Sequence, residues 1–144
     1  MGAGVAGVCV LVWLAALSFY DIRERRLPNW LTMPGAAVIL GIAAAHGRAM
    51  PAMLGAVGLF VVYALVHLVS PAAMGAGDVK LAIGIGALTG TFGSDVWVLA
   101  TIGAPLLTAG CAVVAVLRRS AKTVPHGPSM CLAAVTATAL AVDW

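Results

Sequence analysis

The sequence predicts an all-α, polytopic integral membrane protein with six transmembrane helices and both termini outside. Three observations predict it. The 144-residue chain is 62% hydrophobic and only 9% charged, which excludes an ordinary soluble domain. Its few charges are gathered so that six uncharged stretches remain, at 3–20, 27–47, 49–77, 81–94, 96–117 and 123–142. The basic residues also alternate in density from one connection to the next. Seven of them follow the first, third and fifth stretches, whereas Arg48 alone follows the second and none follows the fourth. The positive-inside rule then puts the odd connections in the cytoplasm. So many crossings leave only short loops, and one membrane-embedded domain over residues 1–144 is expected.

The first stretch closes at Asp21 and is followed by Arg23, Arg25 and Arg26. These cations follow the apolar run instead of preceding it, which favours an uncleaved, outward N-terminus over a secretory signal. The second span runs roughly from 28 to 45 and the third roughly from 52 to 70, with Pro28, Pro51 and Pro71 at the boundaries. The fourth stretch has only 14 residues, about 21 Å of helix, against the ~30 Å of a hydrocarbon core. It must recruit Asp78, Val79 and Lys80, which draws Asp78 to the interface or below it. Lysine can snorkel out on its long stem, but aspartate cannot. The fifth stretch contains Pro105, a candidate kink, and follows Asp95, the expected cap. The sixth ends just short of Trp144. Trp30, Trp97 and Trp144 suit interfacial anchoring, while Trp13 falls mid-span and is expected to pack.

The net charge of +3 comes from the loop bias, so no nucleic-acid partner is expected; the partner composition demands is the lipid bilayer. Cys9, Cys111 and Cys131 sit in separate apolar runs without a C-x-x-C, and are read as small buried hydrophobes. Neither a metal nor a cofactor is expected. His46 and His67 lie near span ends and are read as structural, and Glu24 as a solvated loop charge.

Two carboxylates remain, Asp21 and Asp78. Two crossings separate them, so the chain returns to the side it left and both lie at the cytoplasmic face. Singly, each has an ordinary reading: Asp21 pairs with Arg25 at i+4, or Asp78 is a helix N-cap. Jointly, at one face of a membrane where a carboxylate is costly, they point to function. Two adjacent carboxylates share one proton. The ionised member can deprotonate a water while the protonated member polarises a carbonyl and then protonates the leaving amine. That is aspartic-protease chemistry. Gly75 and Gly77, just before Asp78, lack a Cβ, and so admit a close backbone and conformations closed to other residues. Gly86 is assigned to helix packing, where alanine is expected to cost much less than valine at Gly77.

The run Gly75-Ala76-Gly77-Asp78-Val79-Lys80-Leu81 resembles the G-x-G-D-V-K-L signature of type IV prepilin peptidases, membrane aspartyl proteases of bacteria. The segment from Asp21 through Pro28-Asn29 to Leu31-Thr32 is similar to that family's first catalytic segment. Val124-Pro125-His126-Gly127-Pro128 is similar to its P-x-G-P motif, with His126 where the family often carries an aromatic residue. The motifs occur in the family's order along essentially the whole chain.

The resemblance implies that Asp21 and Asp78 are the catalytic pair. It also assigns Gly75, Gly77, Lys80, Pro125, Gly127 and Pro128 to substrate binding or to shaping the loops. His126 is read as a packed interfacial residue. The implied substrate is a prepilin or pseudopilin, whose basic leader is cut just before an apolar helix at the cytoplasmic face of the bacterial inner membrane. Without paired C-x-x-C motifs, the chain resembles the peptidase-only form, and no N-terminal methyltransferase region is expected. Two rivals are weaker. A presenilin-like protease would share Tyr20-Asp21 but needs a Pro-Ala-Leu motif that is missing here. A proton- or cation-coupled transporter would hold its acids near the bilayer midplane.

Overall fold

A computed structural model describes residues 2–120 and 122–142; Trp144 lies outside the described residues. Six helices follow in order: α1 (Gly2–Glu24), α2 (Asn29–Ala45), α3 (Ala49–Val69), α4 (Ala76–Phe92), α5 (Ser94–Leu117) and α6 (Gly127–Val142). The described residues contain no strand, and the fold is all-α as expected. Length divides the helices into two sets. The odd ones have 23, 21 and 24 residues, and these three are long and apolar enough to cross a membrane. The even ones have 17, 17 and 16 residues, about 25 Å each at 1.5 Å per residue. The described residues thus hold six helices, of which three meet the length and composition of a full span.

The side chains are sorted as lipid sorts them. Large apolar residues point outward, with Val69 86% and Leu117 77% exposed, a surface no water-soluble domain of this size tolerates. The interior sets a few large residues, such as Leu17, Leu59, Leu81 and Met130, among many small ones, including Ala52, Ala82, Ala87 and Ala134. Small residues let helix backbones close on one another where lipid supplies no hydrophobic drive.

Helix α4 is the axis of the fold. It is buried on every side from Gly84 to Gly90, as expected of a helix that is apolar all round. Around it stand α2, α3, α5 and α6, each packed against it. The α3–α4 crossing is the closest. A Cβ on Gly86 would run into the Gly55 carbonyl oxygen and come within 2.9 Å of Leu59 Cβ, and one on Gly90 would lie 2.6 Å from Pro51 O. Gly86 therefore faces rigid backbone, in keeping with its assignment to helix packing. Trp97 secures the same crossing by donating to Gly55 O at 3.0 Å, so it turns inward as well as standing near a helix end.

Helix α1 closes the ring against α6 and α2, yet among the described residues none of its α-carbons comes within 8 Å of α4. Trp13 bridges to α2 by donating to Leu31 O at 2.9 Å, packed over Gly35 and Gly84. It packs mid-helix as expected.

Two smaller expectations and one rival reading fail. Cys9 and Cys111 are exposed and only Cys131 is buried, because their positions on α1 and α5 face outward. Asp95 lies inside the first turn of α5, and the N-cap is Gly93 at φ +129, a value that favours glycine. Asp78 is likewise not an N-cap, since Gly75 holds that position.

Candidate active site

Asp21 sits one turn before the end of α1, on the stripe Gly7, Val10, Leu14, Leu17, Asp21 that repeats at alternating three- and four-residue steps. Leu14 and Leu17 are buried, and so is Asp21. A carboxylate held there needs a donor, and it has one from the far end of the chain. Gly127, the first residue of α6, donates its backbone N–H to Asp21 Oδ2 at 3.0 Å. The first N–H groups of a helix lack intrahelical partners and carry the positive end of its dipole. Asp21 thus caps a helix other than its own. Only glycine permits this approach, because a Cβ on residue 127 would lie 2.6 Å from Oδ2.

Asp78 is held by the same physics. It lies in the first turn of α4, half-buried, with its carboxylate turned back toward Gly75. The dipole of α4 favours negative charge there as that of α6 does at Asp21. The two carboxylates line one cavity of about 280 Å³, together with Gly75 and Gly77. That is room for several waters or a short stretch of extended backbone.

The same wall carries Arg25, Arg26 and Lys80. Two of these cations are already bonded to neutral partners. Lys80 Nζ donates to Asn29 Oδ1 at 2.9 Å, tying α4 to the start of α2. Arg25 reaches Thr123 Oγ1 at 2.8 Å and the Thr123 carbonyl, tying the end of α1 to the segment before α6. The ordinary reading of Asp21 as the ion-pair partner of Arg25 therefore gives way to Gly127 and Thr123. Arg25 itself holds a left-handed backbone, φ +54, unusual for a residue with a Cβ. That turn ends α1 and brings Leu27 against Gly77, where a Cβ on the glycine would sit 3.2 Å from Leu27 Cβ.

Of the residues singled out in the sequence, Asp21, Asp78, Gly75, Gly77 and Lys80 meet at one cavity, and Gly127 joins through its hydrogen bond to Asp21. Pro125 and Pro128 do not line that cavity; they flank His126 and Gly127 at the start of α6. Proline suits that first turn, where its missing N–H is no loss. One expectation about the glycines needs correcting. Neither Gly75 nor Gly77 has a positive φ, and Gly77 is already helical, so close packing is what these positions require. Sequence reasoning missed Arg26, Leu27 and Thr123 as neighbours of the site, and no spacing signals the last of these.

His126 is half-buried and clamped from two sides, with Nε2 3.0 Å from Tyr63 OH and Nδ1 2.6 Å from Thr108 Oγ1. Burial pushes its imidazole below the ordinary histidine range, toward the neutral ring. This agrees with its reading as a packed residue. His67 bonds the Met74 carbonyl at 2.7 Å, a structural role as expected.

No curated protein and no solved structure matches the chain. A family profile does: that of the type IV leader peptidases covers residues 8–117, a stretch that includes Asp21 and Asp78 and ends before Pro125. With most of the chain matched, and two carboxylates facing one cavity in an apolar helical protein, the chain belongs to the type IV leader peptidase family, as an aspartic-type endopeptidase acting on prepilin-like substrates in a membrane.

Proposed function

We propose that Asp21 and Asp78 are the catalytic carboxylates of this endopeptidase and act as one unit sharing a proton. The observation that carries the reading is their common cavity, reached from two helices that do not approach each other. With one proton between them, the ionised carboxylate takes a proton from a bound water. The resulting hydroxide attacks the scissile carbonyl carbon. The protonated carboxylate hydrogen-bonds the carbonyl oxygen, and a proton then passes to the leaving amine as the C–N bond breaks. Gly127 N–H holds Asp21 in place through this cycle, and the start of α4 favours the charge on Asp78.

All six helices cross the bilayer in this reading, with both termini outside, and residues 1–144 work as one membrane-embedded peptidase unit. The short even helices all begin at the catalytic end, at Asn29, Ala76 and Gly127, where the long helix α1 ends. Seven basic residues in the odd connections against one in the even support a cytoplasmic site. The membrane is then the inner membrane of a bacterium, where a basic prepilin or pseudopilin leader awaits removal.

The apolar helix that follows the cleaved bond in such substrates also has a seat in this reading. A second cavity, of about 660 Å³, lies between α1, α2, α4 and α6 and is lined mainly by apolar side chains. It uses the stripe of α1 that ends in Asp21, through Gly7, Val10 and Leu14, and that of α4 that begins at Asp78, through Leu88 and Phe92. One side of a substrate helix laid there points its cytoplasmic end at the carboxylates.

Co-expression with a prepilin-type substrate tests the assignment. Asp21→Asn and Asp78→Asn should each leave the leader attached while the variant accumulates in the membrane. Efficient processing by either variant would remove that residue from the chemistry.

A further inference from the structure

His126 belongs to neither the cavity nor the carboxylate pair, yet side chains from two other helices meet at it. It is the residue immediately before Gly127, and its carbonyl accepts the first intrahelical bond of α6, from Met130 N at 3.1 Å. It is therefore the N-cap residue of α6, but its side chain does not cap the helix. The ring turns away to Tyr63 on α3 and Thr108 on α5.

The direction of these bonds can be worked out. Thr108 Oγ1 also lies 3.1 Å from the Ala104 carbonyl, which can only accept. With the threonine proton placed there, its oxygen accepts from His126 Nδ1–H, the tautomer that also gives the Tyr63 hydroxyl proton an acceptor. Nε2 is then unprotonated and accepts from Tyr63 O–H. Every polar atom in the chain from Tyr63 to Ala104 is satisfied with the ring neutral. Tyr63 is buried, only 4% exposed, so its hydroxyl would be costly to leave unpaired.

We infer that His126 is a positioning residue for Asp21: by fixing the first residues of α6 between α3 and α5, it sets where the Gly127 N–H meets the carboxylate. The geometry allows little slack. Gly127 is buried, its N–H is 3.0 Å from Oδ2, and there is no room for even a Cβ between them. A shift of the segment from 124 to 127 moves that donor directly, since one peptide unit joins it to His126. The inference rests on Asp21 being one of the two catalytic carboxylates.

The test compares His126→Phe and His126→Gln with the native enzyme, measuring kcat and KM for leader cleavage beside the yield of folded protein. Phenylalanine keeps the ring outline and removes both hydrogen bonds; glutamine returns an amide near the Nε2 position. His126→Phe is expected to lose about tenfold or more in kcat, as misplacements of this kind do, with KM within about twofold. His126→Gln is expected to recover most of that loss. Native kcat in His126→Phe overturns the inference, because the ring's shape is then the only requirement, as does equal impairment of both variants, because returning a hydrogen bond then recovers nothing. If His126→Phe is not recovered folded, Tyr63→Phe and Thr108→Val, each removing one hydroxyl at constant outline, decide instead: a fall in kcat supports positioning, and native values in both overturn it. Asp21→Asn is assayed alongside. Cleavage by that variant would refute the catalytic pair itself, whereas an inactive Asp21→Asn with native kcat in His126→Phe refutes only the role of His126.

Discussion

Asp21 and Asp78 face a single cavity although the helices that carry them keep their α-carbons more than 8 Å apart throughout. The pair is joined at the catalytic end by loops and by the start of a third helix, and farther along by Trp13 packed against Gly84. A separate apolar groove opens between α1, α2, α4 and α6 at the other end. Each carboxylate stands at a helix N-terminus, its own in the case of Asp78 and that of α6 in the case of Asp21. A carboxylate pair in an apolar protein is thereby stabilised without a neighbouring cation bonded to either member.

Gly127→Ala tests that arrangement with one methyl group. Its Cβ would lie 2.6 Å from Asp21 Oδ2 and must displace the carboxylate, the helix start or both. Cleavage is expected to fall by about 10–100-fold, because a displaced catalytic group costs on this scale. The measurement is kcat set against the amount of folded protein extracted, which should change little, since the clash is confined to one end of α6.

Gly86→Ala should behave in the opposite manner. Its added methyl meets the Gly55 backbone at the tightest helix crossing, far from the carboxylates, where no side-chain rotation gives relief. The expected cost is about 1–3 kcal/mol, typical of overpacking, read as a lower midpoint of thermal unfolding in detergent. Gly77→Ala meets only the Leu27 side chain and should unfold closer to the native midpoint. The reverse ranking would contradict the α3–α4 crossing described above.

These two glycines show what the sequence could and could not disclose. Counting the two helices between them was enough to return Asp21 and Asp78 to one end of the bundle, because parity does not depend on how helices pack. The short fourth stretch likewise required α4 to take in Asp78, and the helix does begin at Ala76. Which of 17 glycines meets a backbone is another matter, since small residues at helical spacing look alike whether they face a carbonyl or lipid. The same blindness to direction misread Cys9 and Cys111 as buried. Gly127 was visible as part of a motif, but its bond to Asp21 spans most of the chain and depends on where α6 starts. Tyr63 and Thr108 gave no signal, being single polar residues in apolar runs whose partners arrive from other helices.

Gly7→Leu probes the apolar groove. Nothing lies within 4 Å of a Cβ at this position, so leucine fits the fold and fills the groove. For a substrate carrying its apolar helix, KM should rise by about tenfold, the loss of one to two kcal/mol of apolar contact, while kcat holds. An unchanged KM would mean the helix docks elsewhere and lipid occupies this space.

Orientation can be read by cysteine labelling in a background with Cys9, Cys111 and Cys131 replaced. Position 48 should react with an impermeant reagent added outside the cell, and position 122 only after the inner membrane is opened. The opposite pattern would put the carboxylates on the outer face, away from any basic leader.

The central claim is that the two carboxylates work as one unit, and the kinetics of four chains test it most directly: native, Asp21→Asn, Asp78→Asn and the double variant, each purified and assayed on one leader-bearing substrate. Each single substitution should remove at least about a thousandfold of kcat, and the double should be no slower than the worse single, because groups that share a proton fail together. Independent losses that multiply in the double variant, or a single variant that keeps substantial activity, would contradict the account.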